Sequence, residues 1–406
     1  MGIDLKKNKS FCIYAFKEIY SDSHGRYGLC CHARPWCDTS TRWKNLEKWQ
    51  GKKYGLEDIR TQNTTPFKYF LSPEMEKIRN KMLAGERIDN CKTCHDMEDK
   101  GFRSYRKTKY PETSSSDISL RNIALKLRIT GSYCNLGCYM CFPYNSSTRR
   151  KELDAVYGSF KKSNEDFKRD YKGVNYSQWN ECLDDIIKNT HLVKHMGLSG
   201  GEPLLLPNHW KLIDAIPKDD AKLIALYYDT NLTHLTYKKY SIFDVSKKFK
   251  SVSLGVSCDH FGKKLDWIRY PIDRKKFEAN LKEAKDLILQ LNCSVSLLNI
   301  FDLEEIYDYY LNNFGIQTTF HNIVRGPLFL SIRNLSKDIK DSLKEKYKHS
   351  RIITGNPKEE RNFGLNPLMH ELSLNSIPGH LERSKKYCDD LSKHRNFNWR
   401  DLWNEY

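Results

Sequence analysis

The chain has no run approaching the roughly 20 apolar residues that a membrane-spanning helix requires. Its opening, MGIDLKKNKSF, has no apolar core followed by a cleavage site, so it does not read as a secretory signal. Together these absences argue for a cytoplasmic protein with no membrane partner. No internal repeat is visible. The remaining shortage is local. The stretch GSYCNLGCYMC, residues 131–141, holds three cysteines, Cys134, Cys138 and Cys141, one fewer than a tetrahedral metal ion takes.

What is present supports a folded protein. The 406 residues suffice for two or three domains of roughly 100 to 200 residues each. A composition of 39% hydrophobic and 12% aromatic residues allows a sizeable core and argues against general disorder. In a reducing compartment, 13 cysteines point to metal or redox chemistry in preference to disulfides. Cys182, Cys293 and Cys388 have no partner spacing and read as buried, inert thiols. The net charge of +17 fits an anionic partner such as nucleic acid, yet the basic residues are interleaved with acids, as in SKDIKDSLKEKYKHSR (336–351). That segment reads as a solvated amphipathic helix.

The pattern along the chain divides it into four parts. Residues 1–112 are irregular and cysteine-rich, with one helix over 73–86 capped by Ser72 and started by Pro73, Gly85 lying near its end. Residues 113–122 belong to a polar linker. Over 123–325, strand-like runs alternate with helical ones: IALKLRIT from Ile123, then 192–199, 222–229, 251–258, 293–300 and 315–324. The run RKKFEANLKEAKDLILQL (274–291) has Phe277, Leu281, Ala284 and Ile288 at helical spacing. Segment 151–190 is an excursion, expected to be helical. Alternating elements imply parallel pairing, and six units fit a partial (β/α)6 TIM-like barrel in the α/β class. Residues 326–406 form a mainly helical C-terminal extension.

The three-cysteine loop follows the first barrel strand, at the end where such folds collect catalytic groups. On spacing alone it suits an iron–sulfur cube with one open iron, a zinc ion, or unligated thiols; Gly137 eases the turn. The second strand runs into Gly200-Gly201-Glu202-Pro203. Two glycines let a ligand approach the backbone, and a carboxylate there can accept hydrogen bonds from an ammonium group.

CNLGCYMC followed by SGGEP resembles the radical S-adenosylmethionine (SAM) superfamily. The resemblance implies that Cys134, Cys138 and Cys141 hold a [4Fe–4S] cluster whose free iron chelates SAM, and that Gly200–Pro203 contact the methionine amino group. Electron transfer into the sulfonium then gives a 5′-deoxyadenosyl radical that takes hydrogen from a substrate. It further implies cofactor contacts from Asn231, in TNL (230–232), and from Ser257, in GVSCDH. The residue before the last cysteine, often aromatic in relatives, is Met140, which bears on packing near adenine.

Cys12, a spacer, Gly25-x4-Cys30 and then Cys91-x2-Cys94 resemble the twitch and SPASM auxiliary-cluster pattern. That resemblance implies a second [4Fe–4S] cluster fully ligated by Cys12, Cys30, Cys91 and Cys94, with zinc as the physical alternative. Cys31 could replace Cys30, Cys37 is spare, and His24, His32 and His95 read as surface or turn histidines. The auxiliary segment precedes the barrel, an order similar to that of phage-like twitch-containing proteins, with which FRSYR (102–106) is also shared. The function implied is an oxidoreductase-like or cross-linking radical enzyme drawing electrons from a flavodoxin or ferredoxin. Its substrate is expected to be a peptide or protein side chain, with a nucleotide, nucleic acid or small metabolite as alternatives. Cys258 and Asp259 could face that substrate, but no general acid or base is identified. The rival from another class is a non-catalytic basic zinc protein that binds nucleic acid.

Overall fold

Ser72 accepts a hydrogen bond from the Met75 amide at 3.3 Å and Pro73 occupies the first turn, so the helix Pro73–Leu83 begins where its capping residues dictate. Gly85, at φ 84°, ends it in a conformation that glycine adopts without strain. This structure is a computed structural model, and it describes residues 8–21, 27–31, 33, 64–99, 104–107, 118–128, 131–158, 179–348, 350 and 365–403. Gly25, His24, His32, Cys37, Ile129, residues 113–117 of the linker and residues 159–178 lie outside them.

The chain divides into two compact units. One comprises Met1–Gly131, Asp170–Tyr227 and Ile242–Val252; the other comprises Ser132–Arg169, Tyr228–Ser241 and Ser253–Tyr406. The fold is mixed α/β with a mostly parallel sheet, as the alternation of elements implied. Six strands carry that alternation: Ile123–Leu127, Val193–Leu198, Ala225–Thr230, Ser251–Ser257, Ile288–Val295 and Thr318–Ile323.

Within the first unit, Ile123–Leu127 pairs in parallel with Val193–Leu198, Leu125 opposite Met196. On its other side it pairs in parallel with Glu18–Ser21, Ile19 opposite Leu125, and that strand carries the short antiparallel strand Tyr27–Gly28. The segment that reads as irregular in sequence therefore extends the sheet. EIYS is too short to show a period, and its fixation comes from burial of Ile19 and from the Lys126–Glu18 ion pair at 2.8 Å.

In the second unit, Ser251–Ser257 pairs with Ile288–Val295 for residues 254 onward, and Ile288–Val295 pairs with Thr318–Ile323, all in parallel. The helix expected over 274–291 stops at Glu283, and the next strand starts at Ile288, five residues before the position expected from the sequence. Buried Leu291, Cys293 and Val295 alternate with half-buried residues, a period of two that overrides the helical spacing of Ile288. Helices Ser147–Tyr157 and Trp179–Lys188 flank the undescribed centre of the 151–190 excursion. Lys337–Lys348, Leu365–Ser373 and His380–Arg395 make the C-terminal region helical where it is described. Among the described residues, no helix is long and apolar enough to cross a membrane.

Candidate functional site

The three-cysteine loop belongs to the second unit and is tied down on every side. Its own turn is closed by the Cys141 amide donating to the Cys138 carbonyl at 2.9 Å. Ser146 caps the following helix and donates its hydroxyl to the Leu136 carbonyl at 2.6 Å, while Thr148 donates to the Cys134 carbonyl at 2.7 Å. The amides of Gly137 and Tyr139 donate to the carbonyls of Tyr270 and Ile268 at 2.6 and 2.9 Å. A loop held this way keeps its thiols in fixed positions.

Beneath it lies a buried ionic network. Glu152 accepts from Arg149, and from Arg395 at 2.6 and 3.0 Å. The same arginines reach the loop backbone: Arg149 Nη2 donates to the Tyr139 carbonyl and Arg395 Nη2 to the Gly137 carbonyl, each at 2.9 Å. Arg395 also donates to the Trp267 carbonyl, and the Tyr387 hydroxyl to that of Tyr139 at 3.0 Å. Gly137 serves a different purpose from the one read in the sequence. Its φ is not positive; instead, an added Cβ would stand 3.2 Å from Glu152 Oε2. Because that carboxylate is locked by two guanidiniums, Gly137→Ala is expected to lose about 1–3 kcal/mol of stability, measured by urea unfolding.

Cys134 is buried, and Cys138 and Cys141 are half-buried. Burial pushes the Cys138 thiol up, against the opposing pull of Arg269, Arg395 and Arg149. Cys141 is pushed up to about 12 by burial and by Cys138, with Arg149 and Arg269 opposing. Asn231 donates to the Cys134 sulfur at 3.7 Å and to Asn135 Oδ1 at 3.0 Å, while its own oxygen accepts from the Thr233 amide and hydroxyl. Leu232 has φ 54°, in the left-handed region that favours glycine. Ser257 ends its strand half-buried, in register with Asn292. Cys258 donates to the His260 carbonyl at 3.2 Å, and Asp259 is fully buried against Arg269 at 2.8 Å, so both are engaged within the protein.

The Gly200–Pro203 turn belongs to the first unit. Gly200 has φ 151°, a value that side-chain-bearing residues avoid, and the Gly201 amide donates to the Gly131 carbonyl at 3.2 Å. Glu202 is 1% exposed, and its Oε1 accepts from the Leu204 amide at 3.2 Å, capping the short turn Pro203–Leu205.

The N-terminal thiols, also in the first unit, are gathered. Cys12, Cys30, Cys91 and Cys94 are all buried; Cys12 lies within electrostatic reach of Cys91 and Cys94, and Cys91 within reach of Cys30. Burial pushes all three of Cys12, Cys91 and Cys94 up, Cys91 to about 12. Arg106, from FRSYR, donates to the Phe11 carbonyl at 2.7 Å and pairs with Glu98, fastening the chain at Cys12 to the helix Lys92–Asp99. His95 departs from the expectation of a surface residue. It is 4% exposed, and neither ring nitrogen has a hydrogen-bond partner. Its helix carries it inward beside Cys94.

No disulfide joins any described cysteine, and no three His, Cys, Asp or Glu side chains among the described residues converge on a single metal-ion position. Cys182, Cys293 and Cys388 are buried, with thiols held up by that burial, as their isolation in sequence suggested. The arginines 149, 269 and 395 carry no motif. Charged residues read as solvated unless a partner is known, and the partners lie far away in sequence.

Residues 129–309 match the model of the Radical SAM superfamily. Over these residues, under half of its length, the chain is similar to that superfamily, and a domain of that kind implies an enzyme that uses a [4Fe–4S] cluster and SAM. Among solved structures, native anSMEcpe with bound AdoMet is 20% identical, with a TM-score of 0.38 over 57% of this chain and 62% of that one. SuiB of Streptococcus suis, bound to S-adenosylmethionine, is 14% identical, with a TM-score of 0.35 over 67% of this chain and 52% of that one. The chain thus spans less than two thirds of either. No curated protein matches the sequence.

The residues around the cysteine loop fit a cluster. Burial raises the Cys138 and Cys141 thiols, whereas a bound metal would remove their protons. The cations directed at Cys138 and Cys141 favour the anionic core that three thiolates would hold.

Proposed function

We propose that this protein is a radical SAM enzyme in which Cys134, Cys138 and Cys141 hold a [4Fe–4S] cluster with one iron open to SAM. The observation that carries this reading is a superfamily domain whose three-thiol loop is packed against buried cations. A cluster held there would supply one electron for reductive cleavage of the S–C5′ bond of SAM, which would release methionine and give a 5′-deoxyadenosyl radical able to take hydrogen from a substrate.

The protein's own residues bind and orient. Gly200 and Gly201 leave the backbone open to the methionyl end of SAM, and Glu202 and Pro203 shape the turn that receives its amino group. Asn231 and Ser257, at strand ends in the second unit, contact the rest of the cofactor. Cys12, Cys30, Cys91 and Cys94 hold a closed auxiliary cluster, whose electrostatic grouping and Arg106 clasp support a common ligand. The substrate is a peptide or protein side chain, and an external one-electron carrier of the flavodoxin or ferredoxin class serves the first cluster.

Protein purified without oxygen and reconstituted is expected to hold about eight irons with matching sulfide. With dithionite and SAM it is expected to release 5′-deoxyadenosine. Stoichiometric zinc in place of iron would instead support the nucleic-acid-binding alternative.

A further inference from the structure

Arg269 lies beside the cysteine loop and has no assigned part. The Gly137 amide donates to the Tyr270 carbonyl and the Tyr139 amide to the Ile268 carbonyl, so residues on both sides of Arg269 are bonded to residues on both sides of Cys138. This double tie fixes the guanidinium against the thiol, with Nη1 donating to Cys138 Sγ at 3.7 Å. The opposite edge of the guanidinium is anchored: Nη2 stands 2.8 Å from Asp259 Oδ2, and Asp259 Oδ1 accepts from the Ser294 amide at 2.8 Å. Arg269 is 6% exposed, and its Nε has no hydrogen-bond partner. A buried guanidinium with a donor to spare, aimed at a thiol, suits an anionic sulfur-rich neighbour.

Resting on the function proposed above, we infer that Arg269 is a positioning residue that sets the reduction potential of the cluster through a hydrogen bond to the Cys138 sulfur, with Asp259 as its anchor. Reduction adds one electron and one negative charge to the core. The electron comes from an external one-electron donor, no bond breaks and no proton moves. A buried cation and an N–H···S bond stabilise the reduced, more anionic state most, which raises the potential. A SAM-binding cluster must be reduced before it acts, so Arg269 sets how strong a donor the enzyme needs.

The test is a redox titration of the reconstituted protein, with the reduced cluster read by electron paramagnetic resonance and iron and sulfide measured on each sample. Cys12→Ala serves as the background, so that only one cluster reports. At the potential where the parent is half reduced, Arg269→Gln is expected to lower the reduced-to-oxidised ratio roughly tenfold, a shift of about 59 mV for one electron. Arg269→Lys, which keeps the charge, is expected to recover most of it. The pair Asp259→Asn/Arg269→Gln avoids a stranded buried carboxylate and is also expected to titrate below the parent. A parent-like midpoint in either glutamine variant with full iron overturns the inference. Loss of the cluster from both also overturns it, because Arg269 would then be a strut alone. A parent that takes up no iron fails earlier, at metal analysis, and refutes the proposed function itself.

Discussion

Cys138→Ala is expected to abolish 5′-deoxyadenosine formation while leaving the auxiliary cluster in place. The loop offers three thiols, and the carboxylates nearest to it, Asp259 and Glu152, are already held by buried arginines. Cys138 is also the central member, bracketed by the bonds from residues 137 and 139 and facing Arg269. Its loss leaves two thiols for a cube that needs three, so about four of eight irons should disappear. Cys12→Ala acts on the other unit. It should lose a similar amount of iron, yet retain SAM cleavage, because its thiol is gathered with Cys91 and Cys94. Iron analysis and product chromatography on the two variants distinguish these outcomes. Equal behaviour in both assays would contradict the division of labour between the clusters.

Glu152→Gln is expected to be the most destabilising single change near the site. Arg149 and Arg395 are both buried and share this one carboxylate. Removing it leaves two guanidiniums without their counter-charge, an effect of about 3–5 kcal/mol when one partner of a buried pair is lost. The helix His380–Arg395 and the helix Ser147–Tyr157 are both secured there, as are the carbonyls of Gly137 and Tyr139, so iron retention should fall with stability. The pH dependence has a definite sign. Burial would raise the Glu152 pKa, but the bonds from Arg395 and the charge of Arg149 hold it below the ordinary 4.5. A depressed carboxylate contributes stability above its unfolded value and loses it as pH falls through the folded one. Wild-type protein should therefore weaken as pH drops below about 4.5, while the glutamine variant lacks that component. Urea unfolding at pH 7 and below pH 4.5 measures both effects; an unchanged midpoint at pH 7 would rule out the network as a support.

Much of the candidate site is legible in sequence because it is carried by tight local motifs. Three cysteines in eight residues, or two glycines before a glutamate, keep their meaning without long-range context. Five of the six alternating strands are legible for the same reason, since each has its own run of apolar residues. The start of Ile288–Val295 reads as helix because LILQL continues the helical spacing of the segment before it, and its sheet partners Ser251–Ser257 and Thr318–Ile323 decide in favour of strand. Glu18–Ser21 is not legible because four residues show no period, and its fixation comes from Ile123–Leu127, more than 100 residues away. Arg149, Arg269 and Arg395 stayed silent for a related reason. Their role depends on Glu152 and Asp259 and on carbonyls brought to them by folding, and nothing local distinguishes them from surface arginines. His95 reads as polar and exposed, yet its helix turns it inward.

The most direct measurement is electron–nuclear double resonance on the dithionite-reduced protein with SAM labelled at its amino nitrogen. A hyperfine coupling from that nitrogen, lost in Cys138→Ala and retained in Cys12→Ala, is the result expected of an open iron held by the 134–141 loop. A fully assembled cluster that shows no coupling would contradict it.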